Sequence, residues 1–343
     1  FRLESTIAGV PIHQVHVCQQ GALGQVVIDR RDGGVASLGH VVNIAQLQSL
    51  LTQGLDTRIR RYDGYRVTGI EQRQEDAELI ATSVVGDRTQ KIRAKLVIAA
   101  DGTHSTLRAL LSLNAVEKDY QQTAIVSTIT TKRRHQHVAY ERFTSQGPIA
   151  LLPIDDYQFS LIWCVSSDRA QQLLALQDTD FLRTLQVNFG YRVGRLIGTT
   201  QRQVFPLSAI VMPSRLVGRV LFFGNAAHTV HPIAGQGFNL CMRETAVLSE
   251  HIANYLQQTD CFDDIAFLKR YLAQISQDCQ QTVNAVDNLV TTFSNEYCGW
   301  SLMRTLGLQM VQSNSVLKSY LTSRMMGYRI PSARLARGLP LCK

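Results

Sequence analysis

Polar and apolar residues alternate along Gln14-Val15-His16-Val17 and again along Gln25-Val26-Val27-Ile28, with Gly21 between them. That pattern predicts an antiparallel hairpin. Ile44, Leu47, Leu50 and Leu51 then fall at helical spacing, so residues 44–53 are expected to form a short helix. Alternation returns in residues 65–72 and 77–85, followed by a Gly86-Asp87 turn. The run Leu96-Val97-Ile98-Ala99-Ala100 is different, because it is continuously apolar, short, and ends in Asp101-Gly102. It reads as a buried parallel strand whose carboxyl end opens into a loop.

Strand character resumes between Thr123 and Cys164, in residues 124–130, 149–152 and 159–165, with Pro148 and Pro153 bracketing the middle run. Residues 168–190 read as helical. Arg219-Val220-Leu221-Phe222-Phe223 is a second continuous apolar strand, ending in Gly224. A loop from Ala234 then enters a long helix to Gln257, and residues 262–293 are helical as well. In the tail, residues 300–328, Leu302, Leu306, Met310, Val316, Leu317 and Leu321 fall on one side. That side is expected to cover the protein's own core, the alternative being a membrane or partner surface. The βα alternation with a separate antiparallel run predicts a mixed α/β (α+β) chain: a nucleotide-binding domain with an inserted substrate domain.

Composition narrows the classes. A chain of 343 residues can hold two domains and a sizeable core. It has no apolar run of about 18 residues and no basic-then-apolar start, so neither a transmembrane helix nor a signal peptide is expected. The seven cysteines (Cys18, Cys164, Cys241, Cys261, Cys279, Cys298 and Cys342) include no CxxC pair. Reduced thiols in the cytoplasm are the expected reading, and no metal site is expected. The net charge of +8 suits an anionic partner, but the basic residues are dispersed. The densest cluster, Lys132-Arg133-Arg134, has no aromatic interleaving, and nucleic acid is not an expected partner.

Two stretches carry the candidate chemistry. In the first, the strand ending at Gly224 runs into Asn225-Ala226-Ala227-His228, then His231-Pro232-Ile233-Ala234-Gly235-Gln236-Gly237-Phe238-Asn239. Ala226 and Ala227 would let a backbone and a flat ligand approach closely. Gly235 and Gly237 would free the backbone at a helix N-terminus, whose N–H groups stabilise negative charge. The plainer alternative is a glycine-rich turn between strand and helix. In the second, Asp101-Gly102-Thr103-His104-Ser105-Thr106-Leu107-Arg108 follows the buried strand, where ligands collect in open α/β sheets. Ser105 can cap a helix there, and a merely structural capped turn is the alternative. For His104, His228 and His231, loop-capping or hydrogen-bonding roles are expected ahead of catalytic ones.

Together these stretches resemble the class A flavoprotein monooxygenases, the para-hydroxybenzoate hydroxylase-like family. Asp101-Gly102-x-x-Ser105-x-x-Arg108 is similar to its DG motif, where the FAD pyrophosphate and the reducing nicotinamide approach. Gly224-Asn225-Ala226-Ala227-His228 is similar to its GD motif, whose acid binds the flavin ribityl chain; here the acid is replaced by Asn225. Pro232 matches the proline beside the isoalloxazine ring, and Gly235, Gln236, Gly237, Phe238 and Asn239 match the loop facing the flavin pyrimidine edge. Gln48 matches a glutamine that contacts the flavin chain, while Asn43 stands where a glutamate is usual. The stretch Glu141-Arg142-Phe143-Thr144-x-x-Gly147-Pro148-Ile149-Ala150-x-Leu152-Pro153, with Ser160-Leu161-Ile162-Trp163, resembles the ubiquinone-biosynthesis hydroxylases, most of all the 2-polyprenyl-6-methoxyphenol hydroxylases. A family arginine near Ile275 is absent.

The resemblance implies a glutathione-reductase-like FAD/NAD(P)-binding domain, built from residues 36–115 and 215–293. It implies a substrate domain from a hairpin at 1–35 and an antiparallel sheet at 116–214, with a helical tail at 294–343. The family's GxGxxG unit has no counterpart before Leu38, and the chain starts at Phe1 rather than Met. Some tens of upstream residues are therefore expected to lie outside this chain, and this piece alone is expected to bind FAD weakly or not at all. The implied reaction reduces FAD with NAD(P)H or another donor. Reduced flavin and O2 then give a C4a-hydroperoxide that hydroxylates a polyprenylated phenol. The cofactor carries the hard chemistry. Pro232 and Gly237 are then flavin-positioning groups, and no general base is assigned. An apolar slot for the prenyl tail has Val126, Ile149, Leu151 and Trp163 as candidate lining, with core packing as the alternative. Contacts with other ubiquinone-synthesis proteins and with the inner membrane surface are further implied. The competing readings are another flavoenzyme of the same fold, or a flavin-free scaffold or lipid-binding subunit.

Overall fold

The period-2 and period-3.6 patterns become strands and helices along most of the chain. The computed structural model describes residues 9–259, 262, 264–293, 300–327, 333–337 and 339–341. Strands β1 (Val10–Ile12), β2 (Gln14–Gln19), β3 (Gln25–Asp29) and β4 (Gly39–Val41) precede helix α1 (Ile44–Gln53). Next come β5 (Tyr65–Gln72), β6 (Ala77–Ser83), β7 (Thr89–Ala94), β8 (Val97–Ala99) and α2 (Thr106–Leu110). The central stretch holds β9 (Val116–Thr131), β10 (Val138–Thr144), β11 (Gly147–Asp155), β12 (Gln158–Ser166), α3 (Ser167–Leu174), α4 (Asp178–Phe189), β13 (Leu196–Thr199) and β14 (Gln203–Val211). The remainder is β15 (Leu216–Val217), β16 (Val220–Phe222), β17 (His228–Thr229), α5 (Gln236–Leu256), α6 (Phe267–Phe293), α7 (Trp300–Ser313) and α8 (Ser315–Met325).

The described chain divides into two units. The first comprises Phe1–Asp56, Tyr120–Leu207 and Asp287–Tyr328; the second comprises Thr57–Asp119, Ser208–Val286 and Arg329–Lys343. Residues 36–56 and the helices of the tail thus group with the hairpin and the central sheet. The local cause is pairing: Val10 opposes Val41 across β1 and β4.

In the first unit the strands run in the order β14-β9-β12-β11-β10-β2-β3, with β13 also on β9. The expected hairpin of β2 and β3 forms, with Val15 opposite Ile28. One face of the sheet is sealed by α3 and α4, whose Leu173, Phe181, Leu185 and Phe189 pack on Ile125, Ile149, Leu151, Leu161 and Trp163. Three of the four candidate tail-lining residues, Ile149, Leu151 and Trp163, are therefore core, each fully buried. Val126 points to the other face, because side chains alternate along a strand. Pro148 and Pro153 do not end the middle strand; both lie inside β11, and the register shifts between Pro153 and Asp155.

Strand β3 ends the sheet, and α7 covers that edge. Gln312 accepts the Val27 N–H at 2.8 Å, and a side chain at Gly24 would meet the Thr305 backbone at 2.9 Å. An unpaired edge N–H row is thereby blunted. The apolar side of the tail does not cover the core as expected. Leu306, Met310 and Val316 are exposed, as is Met303, whereas Thr322 is buried. Asn314 caps α8 by accepting the Leu317 N–H, which breaks the tail into two helices and ends its single apolar side. The side chain of Leu302, together with Phe1, Cys261, Cys298 and Cys342, lies outside the described residues. Among described residues no helix is long and apolar enough to cross a membrane.

Candidate functional site

The second unit is built on the two continuous apolar runs. Strands β8 and β16 pair in parallel, Val97 with Val220 and Ala99 with Phe222, and β15 flanks β16 antiparallel. Both strands are short and, apart from the exposed Ile98, buried, and their parallel pairing sets their carboxyl ends side by side. After β8, Gly102 adopts φ 87°, a left-handed conformation that a glycine enters without steric cost. Ser105 caps α2 by accepting the Arg108 N–H at 3.1 Å, and Asp101 accepts the Leu107 N–H at 3.1 Å. Asp101 itself is exposed.

Arg108 joins the two loops. Its guanidinium donates to the Ala226 carbonyl at 2.9 Å and to the Thr103 carbonyl at 2.6 Å. The Thr103 and Thr229 hydroxyls, 3.2 Å apart, add a second link. The two stretches singled out in the sequence are thus one local structure. Arg108→Ala is expected to lower the unfolding free energy by about 2 kcal/mol or more, since two half-buried carbonyls lose a charged donor. A lowered urea midpoint at unchanged slope would show it; an unchanged midpoint would mean the link carries no stability.

The loop after β16 is shaped by residue size. Gly224 has φ 55°, and a Cβ there would press on Cys241 Sγ at 3.3 Å. Ala226 and Ala227 are fully buried in the core with Val97, Val220 and Phe222, so their smallness serves packing and leaves no side-chain surface for a ligand. Asn225, just before them, is exposed. Pro232 opens a short 3-10 turn, Ile233–Gly235, that leads into α5. Gly235 caps α5 at φ 60° and has open space where a Cβ would stand. Gly237 has no such backbone requirement; a Cβ there would meet Val230 at 3.3 Å, so close packing explains it. With glycine as the cap, no cap side chain competes for the first-turn N–H groups of α5. Phe238 and Asn239 are exposed on that turn, Asn239 donating to the Gly235 carbonyl at 3.2 Å. An uncapped helix start with a left-handed glycine suits a negatively charged group.

Beneath the loop lies a buried network that the sequence reading missed. His228 Nε2 is 2.9 Å from Glu244 Oε2, and Arg215 donates to Glu244 Oε1 at 2.7 Å and to Cys279 Sγ at 2.6 Å. Glu244 is 1% exposed. Burial pushes its carboxyl up, but the hydrogen bonds and charges of His228 and Arg215 outweigh this and hold it below the usual value. Burial also pushes the Cys279 thiol up, to about 11. His228, Glu244 and Cys279 are close enough to share a metal ion, yet the Arg215 guanidinium already supplies the positive charge among them. His231 is buried and accepts the Ile233 N–H at 3.2 Å, while His104 is exposed. No local motif announces the network, because its members are far apart in sequence. The single local signal was a Glu one α5 turn after Cys241, on the helix that the apolar periodicity predicts.

Gln48 belongs to the first unit. It is exposed on α1, where Ile44, Leu47, Leu51, Thr52 and Leu55 join it around a shallow groove of about 300 Å³. Asn43 caps α1, accepting from the Ala45 and Gln46 N–H groups.

Residues 26–284 match the model of a family described as "FAD binding domain". Ubiquinone hydroxylase UbiL of Rhodospirillum rubrum is 32% identical over 301 residues, covering 85% of this chain and 69% of the relative. The 3-demethoxyubiquinol 3-hydroxylase of Escherichia coli is 29% identical over 295 residues, covering 85% of this chain and 74% of the relative. The ubiquinone biosynthesis monooxygenase COQ6 of Homo sapiens is 28% identical, and there the chain spans 56% of the relative's length. Among solved structures, p-nitrophenol 4-monooxygenase PnpA from Pseudomonas putida superposes with a TM-score of 0.71 at 13% identity. That likeness covers 94% of this chain and 83% of the other, and it concerns the fold.

Proposed function

Since the chain belongs to the FAD binding domain family, with ubiquinone hydroxylases among its relatives, we propose that it forms the larger part of an FAD-dependent monooxygenase. The substrate is a polyprenylated phenol of ubiquinone biosynthesis, and O2 and a donor such as NAD(P)H are consumed. The observation that carries the reading is the junction made by Arg108. It ties the Asp101–Arg108 loop to the Gly224–Ala227 loop at the carboxyl ends of a parallel strand pair, the place where such sheets take cofactors.

When bound, FAD supplies the redox chemistry that no amino-acid side chain has. The chain's own groups position it. The first-turn N–H groups of α5, freed by Gly235, stabilise negative charge on the ligand. Pro232 opens that turn, Gly237 lets it pack close to Val230, and exposed Asn225 offers both a donor and an acceptor to a ligand hydroxyl. Asp101 and Gly102 shape the neighbouring loop, with Gln48 a flavin-chain contact on the resemblance alone. The apolar open face of the first unit's sheet, including Val126, suits the phenol and the start of its prenyl tail. A peripheral position at the inner membrane, among other ubiquinone-synthesis proteins, follows from the substrate's lipid character.

The test is twofold. Protein of full family length, purified, is expected to carry flavin absorbance near one equivalent. A strain lacking the gene is expected to accumulate a polyprenylated phenol one hydroxyl short. Asn225 in place of the usual acid favours a second reading, a flavin-free lipid-binding subunit. Colourless full-length protein that still binds a quinone precursor would replace the first reading with the second.

A further inference from the structure

We propose that Glu141 is the proton acceptor for the phenolic hydroxyl of the substrate, a catalytic residue on the open face of the first unit's sheet. The inference rests on the hydroxylase reading above. Register places Glu141 of β10 opposite Val17 of β2 and Ala150 of β11. Ala150 in turn opposes Ile162 of β12, and Ile162 opposes Val126 of β9. Directly opposed residues share a face, so one carboxyl stands in a cross-sheet row of apolar side chains. The row one residue away, with Leu151 and Leu161, belongs to the face sealed by α3 and α4. Glu141, Val17, Ile162 and Val126 are half-buried, so their face is not sealed as the other is, although Ala150 is buried and Phe143 on the same face stacks on Phe293.

Among the described residues no hydrogen bond or ion pair holds the Glu141 carboxyl. That is costly for a carboxylate in apolar surroundings, and burial pushes it up to about 7. Other titratable groups around it are few. On the open face β12 contributes the Cys164 thiol, which burial and Glu141 push up. The titratable side chains of β2 (His16 and Cys18) and the neighbours of Glu141 on β10 (Tyr140 and Arg142) alternate onto the sealed face. Asp155 is exposed where β11 ends, and His40 is the titratable residue of β1 and β4, which touch β11. Towards the tail, Tyr120 donates to Asp287 at 2.7 Å, and Arg304 donates to Gln19 at 3.1 Å. No cation among these pairs with Glu141, which leaves its oxygens available to a ligand donor.

A phenol hydroxyl is such a donor. As its O–H bond breaks, the carboxyl O–H forms, and the electron pair left on oxygen enters the ring, raising density ortho and para to it. There the outer oxygen of a hydroperoxide, which the proposed reaction makes from O2 and the donor's two electrons, forms the new C–O bond as its O–O bond breaks. The inner oxygen leaves with that bond's electron pair and takes the proton that the attacked carbon then loses, and Glu141 returns its own proton to the ring oxygen. A base near neutrality is matched to this exchange at working pH.

The test uses FAD-loaded protein of full family length, a phenol carrying a geranyl chain, and the O-methyl ether of that phenol. A phenol that donates to ionised Glu141 binds more tightly as pH rises through about 7. Wild type is therefore expected to gain about tenfold affinity for the phenol between pH 6 and 8, and none for the ether. Glu141→Gln is expected to bind the phenol with no pH dependence and to lose about 100-fold in kcat. Glu141→Asp is expected to restore the pH limb. Flavin content and melting temperature equal to wild type show that the variants fold. The proposal is overturned if Glu141→Gln keeps the pH limb or the kcat, or if the ether shows the same limb. A wild type that binds and hydroxylates with no limb overturns it alone. A wild type that does neither overturns the hydroxylase reading as well.

Discussion

Replacing Glu244 by alanine is expected to lower the unfolding free energy by about 3–5 kcal/mol, because it removes the carboxylate that both His228 and the Arg215 guanidinium share and leaves Arg215 with the Cys279 sulfur alone in its place. Glu244 is held by both, at 2.7 and 2.9 Å, and is 1% exposed. Glu244→Gln keeps the shape and one acceptor but loses the charge, so its loss should fall between wild type and alanine. The same network sets a pH response. The folded-state carboxyl lies below its ordinary value. Its contribution is therefore fully present above the unfolded-state pKa and is lost as pH falls through the folded-state one. Urea midpoints measured from neutral pH into acid are expected to fall for wild type and to fall less for Glu244→Gln. Equal acid slopes in the two proteins would show that the network contributes nothing to the response. Cys241 is one α5 turn from Glu244 and lies where a Cβ on Gly224 would meet its Sγ at 3.3 Å, so the Gly224–Ala227 loop, proposed to position flavin, should loosen as well. Reduced flavin retention by Glu244→Gln would register that.

Gly147→Ala is the second large expected effect. Gly147 opens β11 at φ 131°, where L side chains are strained, and a Cβ there would overlap the Cys164 carbonyl oxygen. The obstruction is backbone in a central strand, so no rotamer change relieves it. Strain and overlap together are expected to cost about 4 kcal/mol or more. Soluble yield and urea unfolding measure this. An alanine variant as stable as wild type would mean that β11 and β12 can move apart at no cost. The Thr144 hydroxyl donates to the Gly147 carbonyl at 2.7 Å, so Thr144→Val should be destabilising in the same direction but milder.

Much of this molecule is legible in side-chain periodicity. The Gln14–Ile28 hairpin, the helix at Ile44–Gln53, the two continuous apolar strands and the long helices after Gln236 all form where local pattern places them. Local pattern suffices there because alternation and helical spacing state which face must leave water. It failed at β10, where alternation is blurred by Glu141, and at β11, whose prolines look like strand ends. It failed again at the tail, where Asn314 splits one apolar side into two helices that leave Leu306 and Met310 in solvent.

The motif glycines show the same limit at single residues. Gly235 and Gly237 look alike in sequence, yet one is favoured by a left-handed backbone and the other sits close against the Val230 side chain. Ala226 and Ala227 read as room for a close-approaching ligand, and their side chains are also needed small by the core in which they are buried.

By itself, then, the sequence determined the elements, the two loop stretches and the family they resemble, since each depends on residues close together in the chain. Only the tertiary structure decided which residues meet. Arg108 reaches Ala226 across 118 positions, Arg215 reaches Cys279 across 64, and Glu141 enters an apolar row assembled from five strands. Such contacts arise from sheet register and helix docking, which fix distances between segments that no local pattern relates.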